Sequence, residues 1–224
     1  MDIPCFHASE ISGLIGLNHY KSKPEIIQRV MSKMRQFKDE IKAPITDKEI
    51  LQNAPPELKA GLQEAIITAT KTTSDASLKQ VIDSYKKQII GKTDEKTFEV
   101  LSTEIQKQRG VILEDIAEDN FGGVENRGQF VSYNCPEYRI IGFVDGIKDG
   151  KIVETKNRKR FWKNPPEYDI VQLRCYMKMN GNVDGILLET FPEKSPRSTE
   201  ISWSDREWEK IHTSLLGVCN EINQ

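Results

Sequence analysis

Apolar residues change their spacing twice along this chain. From Ser9 onward, Ile11, Leu14 and Ile15 recur at the interval of a helix with one buried stripe. Ser9 is a fitting N-cap for that helix, Gly16 and Asn18 end it, and Pro24 suits the first turn of a second. Between about 44 and 104 the apolar positions thin out but keep helical spacing. They predict helices over 47–52, 56–70 and 75–90, with Gly91 as a C-cap. From about 105 the pattern alternates. A helix over 109–120 carries Val111, Ile112, Leu113 and Ile116 and stops at Gly122-Gly123. Strands follow over 128–133, 139–145 and 151–156, then a helix over 168–179, strands over 184–190 and 199–203, and a closing helix from 205.

Clustered strands flanked by helices predict an α/β fold with a mixed central sheet. The changes of spacing divide the chain into 1–43, N-terminal helices of the core; 44–104, a helical insertion or lid; and 105–224, the α/β core itself. A length of 224 residues suits one or two domains, and there is no internal repeat.

Composition narrows the class. With 37% hydrophobic and 29% charged residues the chain reads as soluble and globular. No apolar run approaches the ~20 residues that cross a bilayer. The start, Met-Asp-Ile-Pro-Cys-Phe-His, lacks a signal-peptide layout, so an intracellular protein without a membrane partner is expected. Cys5, Cys135, Cys175 and Cys219 form no CxxC pair, which predicts reduced, mostly buried thiols rather than a zinc site or a disulfide framework. A net charge of −2 means that any surface for a polyanion must be local.

The stretch VDGIKDGKIVETKN, residues 144–157, carries the chemistry. In an extended strand Glu154 and Lys156 share a face, and Val153 packs the other way. The strand pattern leaves Glu154 and Lys156 facing outward together, with Asp145 approaching them across the Asp149-Gly150 turn. Two carboxylates that close repel, which raises one pKa or calls for a cation. Magnesium uses one or two carboxylates plus waters and substrate phosphates. Lys156 cannot coordinate but can hold or deprotonate a water, a combination suited to hydrolysing a phosphodiester. The other reading of an isolated ExK is a solvated edge-strand ion pair with Asp145 as a turn residue.

Three further pieces stand in order around this unit. RGVILED puts Glu114 four residues after Gly110 on a helix, QLRCY puts Gln172 and Tyr176 on one helix face, and HASEISGLIGLNHYKSKPE opens the chain. This order resembles the PD-(D/E)xK nuclease superfamily, in the branch of phage lambda exonuclease and the YqaJ-type viral recombinases. The likeness covers residues 8–30 and about 109–179. It implies a restriction-endonuclease-like core and a magnesium-dependent deoxyribonuclease, with manganese able to substitute. An exonuclease of DNA recombination, repair or viral DNA processing is implied, along with a recombination partner protein and a homo-oligomer. On this resemblance Asp145 and Glu154 are direct metal ligands, the Thr155 carbonyl adds a third oxygen, and Glu114 binds the metal directly or through water. Lys156 orients the nucleophilic water, and Gln172 steadies the substrate strand or Lys156. Ser9 and Tyr176 are candidate DNA contacts.

No arginine precedes Ser9, where exonuclease relatives carry one that clamps a terminal phosphate. Exonuclease and endonuclease action of the same fold both stay open. After the ExK comes NRKRFWK, in which Arg158, Lys159, Arg160 and Lys163 surround Phe161 and Trp162. Phosphate charge and a stacking surface together predict DNA contact at Arg158, Lys159, Arg160 and Trp162. Arg109 and Arg174 are weaker candidates. His7, His19, His212 and Glu118 are expected in structural or solvent-facing roles. The rival from another class is a non-catalytic nucleic-acid-binding module.

Overall fold

The computed structural model describes residues 3–36, 47–72, 74–191 and 194–223. The expected boundary at 43/44 lies outside the described residues. The elements run β1 (Cys5–His7), α1 (Ala8–Leu14), α2 (Lys23–Gln36), α3 (Asp47–Asn53), α4 (Pro56–Thr70), α5 (Asp75–Ile89) and α6 (Glu95–Phe121). They continue with β2 (Gln129–Asn134), β3 (Arg139–Val144), β4 (Gly146–Lys148), β5 (Lys151–Asn157), α7 (Glu167–Met179), β6 (Gly185–Phe191), β7 (Lys194–Ile201) and α8 (Asp205–Ile222). The α/β class with mixed sheets flanked by helices is thus the observed one. No helix among the described residues is long and apolar enough to cross a membrane.

Local chemistry accounts for most boundaries. Pro56 opens α4 where a missing N–H costs nothing. Ser74 caps α5 by accepting from the Ser77 N–H at 3.1 Å, and Ser77 returns a bond to the Ser74 N–H. Asp94 caps α6 by accepting from the Thr97 N–H at 2.7 Å. Two predicted boundaries are corrected. The α1 N-cap is His7, and Ser9 lies inside the first turn. Phe6, fully buried, pairs with Ile140 in a strand that the pattern does not predict, and this strand runs straight into the helix. The helix expected to begin at 109 is the second half of α6, which runs unbroken through Gly110 for 27 residues. Leu101 and Ile105, each contributing roughly 1.5–3 kcal/mol by burial, hold its first half in a core with Leu58, Ile66 and Tyr85. Its second half lays Ala117 on Val153, Ile186 and Leu188.

The single central sheet expected from the strand pattern is two sheets. One has the order β1-β3-β2, the other β4-β5-β6-β7. In the first, β1 runs parallel and β2 antiparallel to β3. In the second, β5 and β6 are parallel and the outer pairings antiparallel. Chain passes from one sheet to the other at Asp145, the residue between β3 and β4. Gly146 follows because a Cβ there would meet Val124 Cγ1 at 2.2 Å. The largest core lies between the first sheet, β5, β6 and helices α1, α7 and α8, around Phe6, Ile140, Leu173, Met177 and Leu187.

Candidate active site

Strand β5 gathers the site. Strand β4 pairs with it only as far as Gly146 opposite Val153, so the Thr155 N–H beyond has no strand partner on that side. Asp145 Oδ2 accepts that N–H at 2.6 Å, which fixes the carboxylate at the seam of the two sheets. Glu154 and Lys156 share a side of β5, as the alternation predicts, and the lysine ammonium donates to Glu154 Oε1. Gln172 on α7 donates to the same oxygen at 2.6 Å. The outward-facing pair expected from the pattern is corrected: Glu154 is 1% exposed. Helix α7 covers its side of the strand, while Val153 and Thr155 pack beneath α6. Glu154 Oε2 is buried with no hydrogen-bond partner.

Helix α6 adds acids from the opposite side. Ala117, packed on Val153, sets the helix over β5. Glu118 Oε1 accepts from the Thr155 hydroxyl at 2.9 Å, and its Oε2 lies 3.0 Å from Arg127 Nε. Expected in solvent, Glu118 is 2% exposed. Glu114, one turn earlier, shares its face of the helix. Burial raises the Glu114 carboxyl to about 7, with Asp145 and Glu118 adding to the rise and Lys156 opposing it. Burial likewise lifts Glu118 to about 7, against the pull of the Thr155 hydroxyl and Arg127. Asp145 is raised by burial despite Lys156 and the Thr155 N–H. Burial also raises Glu154, Lys156 pulls it back, and Asp145 adds to the rise. Burial pulls Lys156 down, but Glu154 and Asp145 outweigh it and hold its pKa above the ordinary lysine value.

Four carboxylates (Glu114, Glu118, Asp145, Glu154) thus crowd around Lys156, and Arg127 at the edge divides itself between Glu118 and Asp119, so the acids raise one another's affinity for a proton or a cation. Among the described residues no group of three or more His, Cys, Asp and Glu side chains is arranged to hold a metal ion by itself. Magnesium needs only one or two carboxylates, with waters and substrate phosphates completing its shell. The mutual repulsion of these acids and the unpartnered Glu154 Oε2 fit a hard dication.

Other predicted contacts separate into surface and interior. Lys159 is exposed and pairs with Asp75 of α5 at 2.7 Å. Arg160 and Trp162 are exposed. Arg158 is corrected: it is nearly buried and donates to Glu189 at 3.0 Å and Asp169 at 2.6 Å. Tyr176 is also corrected, being buried with its ring where a Cβ on Gly142 would stand, 2.6 Å from Cε1. Arg109 ties α6 to the end of α4 through the Ala69 and Thr72 carbonyls, at 2.8 and 2.9 Å. His212 accepts from or donates to the Tyr138 hydroxyl at 2.5 Å in the core. Ser9 is half-buried, and its carbonyl accepts from Lys21. Lys21 is absent from the predicted site. Burial lowers its pKa, Glu10 raises it, and Lys156 lowers it further, so the two lysines feel each other. No spacing in the sequence marks that neighbour.

No protein-family model matches the chain. No curated protein matches it. Among solved structures it is similar to an alkaline exonuclease, LHK-Exo, from Laribacter hongkongensis, at 16% identity and a TM-score of 0.44, over 74% of this chain and 92% of that one. It is similar also to LHK-Exo in complex with dAMP, at 16% identity and 0.44, over 74% and 91% of the two chains. Likenesses this distant leave the chemistry to the side chains themselves.

Proposed function

We propose that this chain is a metal-dependent deoxyribonuclease that hydrolyses DNA phosphodiester bonds. The carrying observation is the meeting of Asp145, Glu154, Lys156 and Gln172 beside the α6 acids, with Glu154 Oε2 buried and unpartnered. Asp145, Glu154, the Thr155 carbonyl and Glu114 would hold magnesium, or manganese with its similar donor preference. When bound, the ion would neutralise charge on the phosphate and acidify the attacking water.

The chain's own residues do the rest. Gln172 donates to Glu154 Oε1, which favours one orientation of the carboxylate. Lys156 bonds the same oxygen and keeps further N–H donors for a water, aimed from the side of β5 that Glu154 shares. Water gives a proton to solvent as its oxygen adds to phosphorus, the bond to the leaving sugar oxygen breaks, and that oxygen takes up a proton from solvent. Exposed Lys159, Arg160, Lys163 and Trp162 come shortly after β5, which supports contact with a DNA strand there. We infer exonuclease action in DNA recombination, repair or viral DNA processing from the order of motifs.

A gel assay on linear and closed-circular DNA with magnesium, manganese or EDTA tests this. Loss of linear DNA with either ion and none in EDTA is expected. Cutting of the circle assigns an endonuclease. Binding with no cutting under any condition refutes the enzyme and leaves a nucleic-acid-binding module.

A further inference from the structure

The segment after β5 rests on a chain of buried charges. Arg158 donates to Glu189 Oε1 and to Asp169 Oδ2. Glu189, 0% exposed, accepts from Arg197 at its other oxygen, from Nε at 2.8 Å and Nη2 at 2.6 Å. Arg197 turns its remaining Nη1 to the loop backbone, donating to the Trp162 carbonyl at 2.7 Å and the Lys163 carbonyl at 2.9 Å. Phe161 packs on Phe191 with ring centroids 5.1 Å apart, and Lys194 Nζ lies 3.9 Å from the centre of its ring. Held this firmly, Phe161 and Trp162 still stand 47% and 46% exposed.

A buried ion chain contributes little net stability, because desolvation offsets the attraction. Its position suggests another use. Glu189 is the partner of Lys156 in the β5–β6 register. One end of the network therefore lies beside the lysine assigned to the water, the other at the backbone of two half-exposed aromatics. Two such rings fall far short of the ~1,200 Å² of a stable protein interface. They suit single nucleobases, which stack on an aromatic whatever their identity. Lys159, Arg160 and Lys163, all exposed, supply phosphate attraction around them.

We propose that Phe161 and Trp162 form a preformed stacking platform for the bases of an unpaired DNA strand, and that Glu189, acting through Arg197, is the residue that positions it. This rests on the nuclease reading of the adjacent site. Fixing the loop before the strand arrives removes an ordering cost from binding.

The test is the affinity of a fluorescein-labelled oligothymidylate, by anisotropy in EDTA, followed by kcat and KM for cleavage in magnesium. Trp162→Ala is expected to weaken binding ~5- to 100-fold. Glu189→Gln is expected to do the same. Arg197→Lys keeps a cation on Glu189 but cannot reach both carbonyls, and gives the answer if Glu189→Gln does not fold. It should raise KM while kcat stays within about twofold, and Trp162→Ala/Arg197→Lys should lose less binding than the two single variants' losses combined. Unchanged binding by Trp162→Ala, or no binding by the wild type, overturns the platform. Unchanged binding by Arg197→Lys, or additive losses in the double variant, overturns the positioning role. Wild-type binding without cleavage overturns the nuclease reading and leaves the platform standing. Cleavage with unaffected variants does the reverse.

Discussion

Removing divalent ions and raising the pH should unfasten the acid cluster. Glu118 is the clearest case: buried, with a carboxyl lifted from 4.5 to about 7 by that burial. A carboxyl that binds its proton more tightly folded than unfolded stabilises the fold while protonated. That contribution is complete below about 4.5 and gone once the pH passes about 7. At ~1.36 kcal/mol per pH unit the separation amounts to roughly 3 kcal/mol, of which about 2 kcal/mol disappears between about pH 5.5 and pH 8. Glu114 shifts in the same direction from the same causes. It is partly exposed, so solvent screening cuts its share to about 1 kcal/mol. Together these ~3 kcal/mol correspond to a melting temperature roughly 6–12 °C lower at pH 8 for a chain of this size. His7, whose pKa burial lowers, works in the opposite sense across this window. The control is therefore Glu114→Gln/Glu118→Gln, in which the fall with pH should shrink, leaving the part that Asp145 and Glu154, raised by the same burial, contribute. Scanning calorimetry in EDTA measures both proteins. Magnesium should restore the wild-type melt at pH 8 and act less at pH 5.5, where protons already neutralise the acids. A wild-type melt in EDTA that stays level or climbs toward pH 8, in parallel with the double variant, would refute the reasoning.

Asp145→Ala or Lys156→Ala should lower DNA cleavage by ~10²- to 10⁴-fold while circular dichroism stays that of the wild type; a variant that cuts at the wild-type rate would remove that residue from the site. Gly142→Ala puts a methyl 2.6 Å from the Tyr176 ring, and a thermal melt should show a loss of about 1–3 kcal/mol. Arg158→Ala leaves Asp169 and Glu189 buried without one of their cations. Urea unfolding should show a loss of about 3–5 kcal/mol, larger than for Lys159→Ala, whose side chain sits in solvent.

Much of this was legible because the signals are local. Pro56, Ser74 and Gly91 mark helix ends by their own backbone and side-chain chemistry, and the structure follows them. The pairing of Glu154 with Lys156 needed only the two-residue period of a strand. What was hidden depends on partners far along the chain. Strand β1 is three residues long and exists because residues 139–141 lie beside it. Burial of Glu118 follows from where Ala117 docks on a strand that comes 36 residues later. Arg158 looks like a free cation beside Lys159 until Asp169 and Glu189, 11 and 31 residues on, close around it. The split into two sheets turns on one residue, Asp145, which the pattern reads only as the last residue of a strand.

The unbroken length of α6 has a mechanical consequence. From Leu101, fixed in the helical core, to Glu118 over Thr155 the helix is a rod of about 26 Å. A tilt of only about 2° about Leu101 carries Glu118 through about 1 Å, enough to part it from the Thr155 hydroxyl. Whatever grips α4 and α5 thereby has a lever arm on the acids at the far end.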